Sequence, residues 1–137
     1  MELEVIPDKV FEMEAIMKSM AQVDIQTKHY FSEGLYAREI TIPAGVTLCG
    51  EIHKFKNLNI LSKGSMLVYG LGKLEAPFTV VSPPGTKRIA HTLEECVWTT
   101  IHATEETDVD KIKAHFVAQT EQEWLEFCNA NQLEFGI

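Results

Sequence analysis

Short segments rich in β-branched and aromatic residues, each ended by glycine or proline, constrain the fold more than any other feature of this 137-residue sequence. The turns lie at Pro43-Ala44-Gly45, Lys63-Gly64, Gly70-Leu71-Gly72 and Pro83-Pro84-Gly85. The strands that they delimit are 35–42, 46–55, 57–62, 65–70, 77–82, 87–91 and 96–102. Strands this short, with turn signals this close together, predict an antiparallel barrel or sandwich and argue against a parallel sheet of βαβ units.

A helical pattern precedes these strands. Pro7 and Asp8 suit the start of a helix over residues 8–21. Val10 and three methionines fall three or four residues apart along it, which is typical of an amphipathic helix. We interpret this stripe as the face that packs on the rest of the fold, with contact to a ligand as the alternative.

Two further helices are predicted after the strands. Thr107 or Asp108 is the candidate N-cap of the first, which is about ten residues long. Thr120 opens the second, with a glutamate three residues later at capping-box spacing. The tail 133–137 is expected to pack back on the fold or to fray.

Length and composition indicate one mainly β domain. The chain is near the common size of a single domain. Its hydrophobic fraction of 45% and charged fraction of 23% are ordinary for a folded globular protein. We predict a single domain over 1–137, with an N-terminal helix at 8–21, a β-barrel at about 28–102 and C-terminal helices at about 108–130.

Charge and cysteine usage limit the partners and the compartment. A net charge of −8 at pH 7 argues against binding to duplex nucleic acid or anionic membranes, because both need an excess of Lys and Arg. The three cysteines form no Cys-x-x-Cys pair, so neither a disulfide framework nor a thiolate zinc site is indicated. No signal peptide and no run of about 20 apolar residues is visible. We therefore expect a cytoplasmic protein.

The segment IPAGVTLCGEIHKFKNLNILSKG, followed by SPPGTKRIAH, resembles the two-motif layout of the cupin superfamily over roughly residues 35–102. The matching framework residues are Pro43, Gly45, Gly64, Pro83 and Gly85. The resemblance implies a small cupin-like antiparallel β-barrel with flanking N- and C-terminal helices. The whole chain also resembles short cupin-like proteins encoded by tailed bacteriophages, which would place it in the cytoplasm of a host cell.

The metal ligands of that superfamily are mostly replaced. His53 matches the first histidine of the first motif, but Phe55 stands where the second is expected. Asn59 falls near the glutamate position, and Arg88 occupies the place of the histidine in the second motif. The resemblance therefore implies a barrel that has lost the usual metal, or a variant that recruits other histidines.

Strand 46–55 has two possible orientations. Its odd-numbered residues, which include Glu51 and His53, share one face, and Val46, Leu48 and Ile52 share the other. The resemblance points His53 into the barrel. A Glu and a His are unusual in a plain core, because unpaired buried polar groups cost free energy. The alternative buries the aliphatic residues and leaves His53 in solvent.

Three histidines are the candidate catalytic groups: His53, His91 and His102. Across a barrel they would form a zinc, nickel or iron site. Without metal they suit acid–base chemistry, because a pKa near 6.5 lets one imidazole accept a proton while another donates one. Their spacing forms no metal signature, so no metal ligand is assigned. Each is alternatively a surface residue, or one satisfied by a single hydrogen bond.

The candidate ligand-binding residues are Glu51, Asn59, Lys87, Arg88 and Trp98. Arg88 can hold a carboxylate or phosphate through two hydrogen bonds, and Lys87 would add charge. The alternative is that Lys87 and Arg88 belong to a solvated turn.

These residues predict a protein that binds a small polar or anionic molecule, such as a nucleotide or sugar derivative, inside the barrel. Histidine acid–base turnover, such as phosphodiester cleavage, would be a further step. The sequence therefore leaves open whether the protein is an enzyme and which cofactor it uses. The alternatives are a metal-dependent cupin enzyme (an isomerase or dioxygenase) and a non-catalytic viral scaffold or interaction protein. A homodimer or larger homo-oligomer is expected, because an apolar outer strand face needs a cover.

Overall fold

The computed structural model describes residues 3–131, so the predicted tail 133–137 lies outside the described residues. The helices are α1 (Asp8–Lys18), α2 (Val109–Phe116) and α3 (Glu121–Ala130). The strands are β1 (Gln26–Ser32), β2 (Leu35–Ile42), β3 (Thr47–Cys49), β4 (Ile52–His53), β5 (Asn57–Lys63), β6 (Ser65–Val68), β7 (Gly72–Glu75), β8 (Phe78–Ser82), β9 (Ile89–Thr92), β10 (Cys96–Ala103) and β11 (Val117–Ala118).

The strands form three sheets, and all the strand pairs are antiparallel. The largest sheet has the order β1-β2-β10-β5-β8, a second has β3-β9-β6-β7, and β11 pairs with β4. The prediction of a mainly β, antiparallel fold with flanking N- and C-terminal helices is confirmed. The two larger sheets face each other without joining into one closed barrel, which corrects the predicted closure.

The main core fills the space between the two larger sheets. Ile40, Ile42 and Leu61 project from the five-stranded sheet and pack with Met66 and Val68 of the four-stranded sheet. The two-residue repeat of a strand explains this arrangement, because alternate residues of β2 turn the same way. Burial of these side chains is the chief force that holds the sheets together.

The C-terminal helices cover a second core. Trp124 and Cys128 of α3 pack on Ile52 of β4 and on Leu3. Both helices begin as predicted, since the side chains of Asp108 and Thr120 accept hydrogen bonds from the first-turn N–H groups. No helix within residues 3–131 is long and apolar enough to cross a membrane.

A buried ion pair attaches α1 to the four-stranded sheet. The Nζ of Lys87 lies 2.7 Å from Oε2 of Glu14 and donates to the carbonyl oxygen of Gly50 at 2.8 Å. The ammonium also lies 5.9 Å from the ring centre of Phe11. The Lys87 side chain is only 4% exposed, so the reading of residues 87 and 88 as a solvated turn is wrong.

The predicted strand 46–55 is interrupted at Gly50 and Glu51, and its orientation changes there. In β3, Leu48 packs against the main core and Thr47 is exposed. In β4, Ile52 faces the C-terminal helices while His53 lines the cavity described below. The inward orientation therefore holds for His53 and is wrong for Thr47, because the two strands belong to different sheets.

The turn Pro83-Pro84-Gly85 is confirmed, and it holds β4 in place. The N–H of Gly85 donates to the carbonyl oxygen of His53 at 2.8 Å, and the N–H of His53 donates to that of Thr86 at 3.1 Å. Gly85 has φ +90°, in the left-handed region that favours glycine. A Cβ there would also lie 2.7 Å from the ring of Trp124, so this turn requires glycine.

Candidate functional site

A cavity of about 440 Å³ lies between the two larger sheets, and residues of α2 contribute to its lining. Sites for small molecules commonly measure about 300–1,000 Å³, so the volume suits a small organic ligand. Strand register divides the wall into two regions, which we call the polar end and the apolar end. The polar end contains Tyr36, Arg38, His53, Asn57, Asn59, Ser82, Arg88, Thr100 and His102, beside the α2 residues Ile112 and Phe116, and the apolar end contains Ile40, Ile42, Leu48, Met66, Val68, Ala90 and Trp98.

Antiparallel pairing aligns the inward residues of the five-stranded sheet in rows. Tyr36 lies opposite His102. In the next row Thr100 lies opposite both Arg38 and Asn59. One row further, Trp98 lies opposite Ile40 and Leu61. The first two rows are thus polar and the third is mainly apolar, so the two ends of the cavity follow directly from the register.

Asn59 connects the residues of the polar end. Its Nδ2 donates to Oδ1 of Asn57 at 2.6 Å and to Oγ of Ser82 at 2.9 Å. Its Oδ1 accepts from Nε1 of Trp98 at 3.1 Å and from Oγ1 of Thr100 at 2.8 Å. Two donors and two acceptor sites are the whole capacity of an amide side chain. Asn59 therefore positions its neighbours and has no free group for the ligand contact that its sequence position predicts.

Arg88 enters the polar end from the four-stranded sheet. It lies two residues before Ala90, so both project to the cavity side. Its Nη2 donates to Oγ of Ser82 at 3.3 Å, whereas its buried Nε has no hydrogen-bond partner. Burial lowers the pKa of Arg88, and Glu4 acts in the opposite direction from beyond ion-pair distance. Most of the guanidinium donors are thus available to a ligand.

His53 and His102 form a stacked pair in the polar end. Their ring centres are 5.5 Å apart, and each Nδ1 is buried without a hydrogen-bond partner. Burial lowers the pKa of His53 to about 4, with a further contribution from His102 and the nearby cations. Burial also lowers the pKa of His102 to about 4, with a smaller effect of His115. Both imidazoles are therefore neutral at pH 7.

Tyr36 lies beside this pair and under α2. Its hydroxyl shares a 2.6 Å hydrogen bond with Nδ1 of His29, and its ring packs with Ile112 and Phe116. Burial raises the pKa of Tyr36, and Arg38 partly offsets that shift. The phenol is accordingly neutral, and its hydroxyl is already hydrogen-bonded to His29 of β1.

Residues of α2 and β4 form the rim of the polar end. Nζ of Lys113 lies 3.3 Å from Oε1 of Glu51, and both side chains are about half exposed. Arg38 is exposed as well while lining the cavity. The rim pair is consequently accessible to water and weak. Glu51, predicted as a ligand-binding residue, lies at the rim and not deep in the cavity.

His91 and Lys87 lie outside the cavity, which corrects two predicted placements. His91 alternates with Ala90, so it turns to the outer face and shares a 2.8 Å hydrogen bond with Oγ1 of Thr47. Lys87 turns to the same side of the sheet as α1, where it pairs with Glu14. The other predicted residues line the cavity: Glu51, His53, Asn59, Arg88, Trp98 and His102.

Arg38 is one of the polar lining residues that the sequence did not predict, together with Asn57, Ser82, Thr100 and Lys113. It alternates with Tyr36, Ile40 and Ile42 in β2, three residues whose buried side chains define the inward face. A charged residue on the apolar face of an alternating strand is the signal that identifies it. The chain contains just two arginines, Arg38 and Arg88, and both line this cavity.

The residues present do not fit the metal site of the cupin layout. Among residues 3–131 no group of three or more His, Cys, Asp or Glu side chains is placed to hold a metal ion. His53 and His102 supply two imidazoles, but Arg88 places a fixed positive charge where the resemblance expects a ligand. Borderline and hard metals are bound by imidazole, thiolate and carboxylate groups, which a guanidinium cannot replace.

Comparison with known proteins supports the architecture. No protein-family model matches the chain, and no curated protein matches its sequence. Two facing antiparallel sheets around a ligand-sized cavity define the class of the fold, and solved structures identify it as the cupin fold.

Three similar structures were found. An acetylacetone dioxygenase from Acinetobacter johnsonii is 18% identical, with a TM-score of 0.51 over 75% of this chain and 78% of that one. A cupin superfamily protein from Desulfitobacterium hafniense is 9% identical, with a TM-score of 0.50 over 63% and 83%. A chain from the complex of SigE with the anti-sigma ChrR of Rhodobacter sphaeroides is 13% identical, with a TM-score of 0.52 over 59% and 46%. Similarity at these identities establishes the fold and leaves function to the site.

Proposed function

We propose that this protein binds a small anionic molecule in the cavity, with the acidic group of the ligand at the polar end. The observation that carries the proposal is that both arginines of the chain line this one cavity. Neither forms an ion pair with a carboxylate among the described residues. The half-buried guanidinium of Arg88 is costly without a counter-ion, and an anionic ligand would supply the missing charge.

Acid–base turnover by His53 and His102 is part of the same proposal, with one restriction. Both imidazoles are neutral at pH 7, so either is a base and neither is ready to donate a proton. Phosphodiester cleavage needs a protonated partner as well. A bound anion would favour the protonated form and raise the pKa of both groups, so binding comes first in this scheme.

The other functions considered from the sequence receive less support. The described residues of this chain include no set of metal ligands of the kind that a metal-dependent isomerase or dioxygenase needs. A scaffold or interaction protein has no need for two arginines and two histidines around a cavity of about 440 Å³. The predicted homo-oligomer, the bacteriophage origin and the cytoplasmic location stay predictions, and light scattering of the purified chain tests the first.

Native mass spectrometry and calorimetric titration with inorganic phosphate and acetate test anion binding. We expect the protein to bind at least one of these anions, and Arg88→Gln to weaken its binding at least tenfold, about 1.4 kcal/mol. Lys73→Gln is the matched control, because Lys73 is exposed, pairs with Glu75 and does not line the cavity. Equal weakening in both variants, or no binding of either anion, would contradict the proposal.

A further inference from the structure

The two ends of the cavity also specify the class of ligand. We infer that the ligand is an amphipathic acid, with one carboxylate at the polar end and a compact apolar body, free of hydroxyl groups, at the apolar end. This inference rests on the proposed function, since it assumes that an anion binds between the arginines. It replaces the nucleotide or sugar derivative that the sequence predicts.

The apolar end offers no hydrogen bond to a sugar or a nucleoside. Ile40, Met66 and Val68 present only carbon and sulfur atoms. Trp98 carries the one polar side-chain atom of this region, and its Nε1 already donates to Asn59. A buried hydroxyl without a partner costs about 1–3 kcal/mol, so several hydroxyls would make binding unfavourable there. An apolar body instead gains from leaving water.

The polar end matches a group that only accepts hydrogen bonds. Its free donors are mainly the guanidinium groups of Arg38 and Arg88, which are always charged, and each neutral imidazole adds one N–H. The amide of Asn59 is fully used, and the Oγ of Ser82 already accepts from Asn59 and Arg88. A carboxylate needs donors only, whereas a base or a ribose needs acceptors too. Each neutral imidazole also offers one acceptor nitrogen, so free donors outnumber free acceptors in the polar end, as a carboxylate requires.

The volume of the cavity accommodates such an acid. About 440 Å³ is near the lower limit of small-molecule sites, and the rim pair of Glu51 and Lys113 bounds it at the polar end. A single aromatic ring with a short acidic side chain fits within this volume, and a nucleotide is disfavoured by its additional polar groups and not by its size. Phenyl phosphate shares the amphipathic chemistry and serves as a second probe.

Trp98 provides a direct readout of occupancy. The chain contains two tryptophans, and Trp124 belongs to the separate core under α3. Trp124→Phe therefore leaves Trp98, in the cavity wall, as the sole indole fluorophore. The hydrogen bond to Asn59 fixes the orientation of this ring, so a change in its emission reports what lies against it.

The experiment measures binding to Trp124→Phe protein by Trp98 emission and, independently, by calorimetry. The probes are 3-phenylpropionate, its neutral analogue 3-phenylpropanamide, phenyl phosphate, AMP and glucose 6-phosphate. We expect 3-phenylpropionate to bind at least tenfold more tightly than the amide, and AMP and glucose 6-phosphate to bind more weakly than either acid with a phenyl ring. Adding Arg88→Gln should abolish the preference for the acid over the amide. Arg38→Gln, at an exposed position that tolerates substitution, provides the same test if the first variant is unstable.

A substitution at the apolar end separates the two parts of the inference. Val68→Thr keeps the side-chain shape and adds one hydroxyl to the apolar wall. It should weaken the binding of 3-phenylpropionate several-fold more than the binding of acetate. Tight, Arg88-dependent binding of AMP or glucose 6-phosphate with no binding of 3-phenylpropionate would overturn this inference and keep the proposed function. Failure of every anionic probe to bind the folded protein would overturn both.

Discussion

Lowering the pH from 7 to 5 should destabilise this protein through His53 and His102. Burial lowers the pKa of each to about 4, whereas an imidazole in the unfolded chain titrates near 6.5. Between these two values the unfolded chain binds more protons than the folded chain, so stability falls as the pH falls. The contribution is fully present above pH 6.5 and is lost as the pH approaches 4.

The size of the effect follows from linkage. For one group with a pKa of 6.5 unfolded and about 4 folded, the free energy of unfolding decreases by about 2 kcal/mol between pH 7 and pH 5. Two independent groups would give about 4 kcal/mol, which is an upper value. The first proton on a stacked pair also disfavours the second, because the ring centres are 5.5 Å apart.

Urea unfolding at pH 7 and pH 5 measures this loss in wild-type protein and in His102→Phe. Phenylalanine keeps a ring against Phe116, whose centre lies 4.3 Å from that of His102, and it does not titrate. The variant should lose about 2 kcal/mol less than the wild type over this interval. Carboxylates contribute equally to both proteins and cancel. His91→Asn, outside the cavity, is the control and should keep most of the wild-type dependence. An unchanged loss in His102→Phe would refute the reasoning.

Four further outcomes are expected. Binding of 3-phenylpropionate should tighten between pH 7 and 5.5 and take up protons, because a bound anion raises the depressed pKa of both cavity imidazoles; calorimetry in two buffers measures the uptake. Asn59→Leu leaves several buried partners unpaired and should cost at least about 3 kcal/mol in urea unfolding, so a loss below 1 kcal/mol would contradict its connecting role. Gly85→Ala should cost clearly more than Gly70→Ala, since both have positive φ, worth about 1–2 kcal/mol, and only the first places a Cβ against a tryptophan ring. Glu14→Gln should destabilise the protein more than Lys87→Met, because the first leaves a buried ammonium without a partner and the second leaves a carboxylate that water reaches. A lower melting temperature for Lys87→Met than for Glu14→Gln would contradict this.

The sequence predicted the sheet architecture well where alternation and turn chemistry act locally. Segments 35–42 and 57–62, for example, coincide closely with β2 and β5. It missed β1, an edge strand whose side chains are nearly all exposed, because no buried face gives it a period of two. It also ran through the break at Gly50 and Glu51, where the chain passes from one sheet to another. Such a change depends on contacts with distant segments, which local patterns do not contain.

The candidate site was predicted only in part, because it too depends on contacts between distant segments. His53 and Arg88 were found through the motif layout, whereas Arg38 lies before those motifs and was overlooked. Asn59 lines the cavity, but its hydrogen-bond partners Ser82 and Trp98 lie more than twenty residues away in sequence. Residue type and spacing indicate which side chains are available; which of their hydrogen bonds are already used is decided by tertiary contacts.

The presence of Arg88 in place of the expected histidine of the second motif has a simple electrostatic consequence. The resemblance places a metal-binding histidine at position 88, and this chain has arginine there, with Arg38 across the cavity in the facing sheet. A divalent cation and two guanidinium groups both supply positive charge at the same end of the cavity. The guanidiniums cannot act as a Lewis acid with open coordination positions, but they hold a carboxylate in a defined orientation through paired hydrogen bonds. Under the proposed function, the positive charge that holds the anionic ligand therefore comes from guanidinium groups, and proton transfer falls to the neighbouring neutral imidazoles.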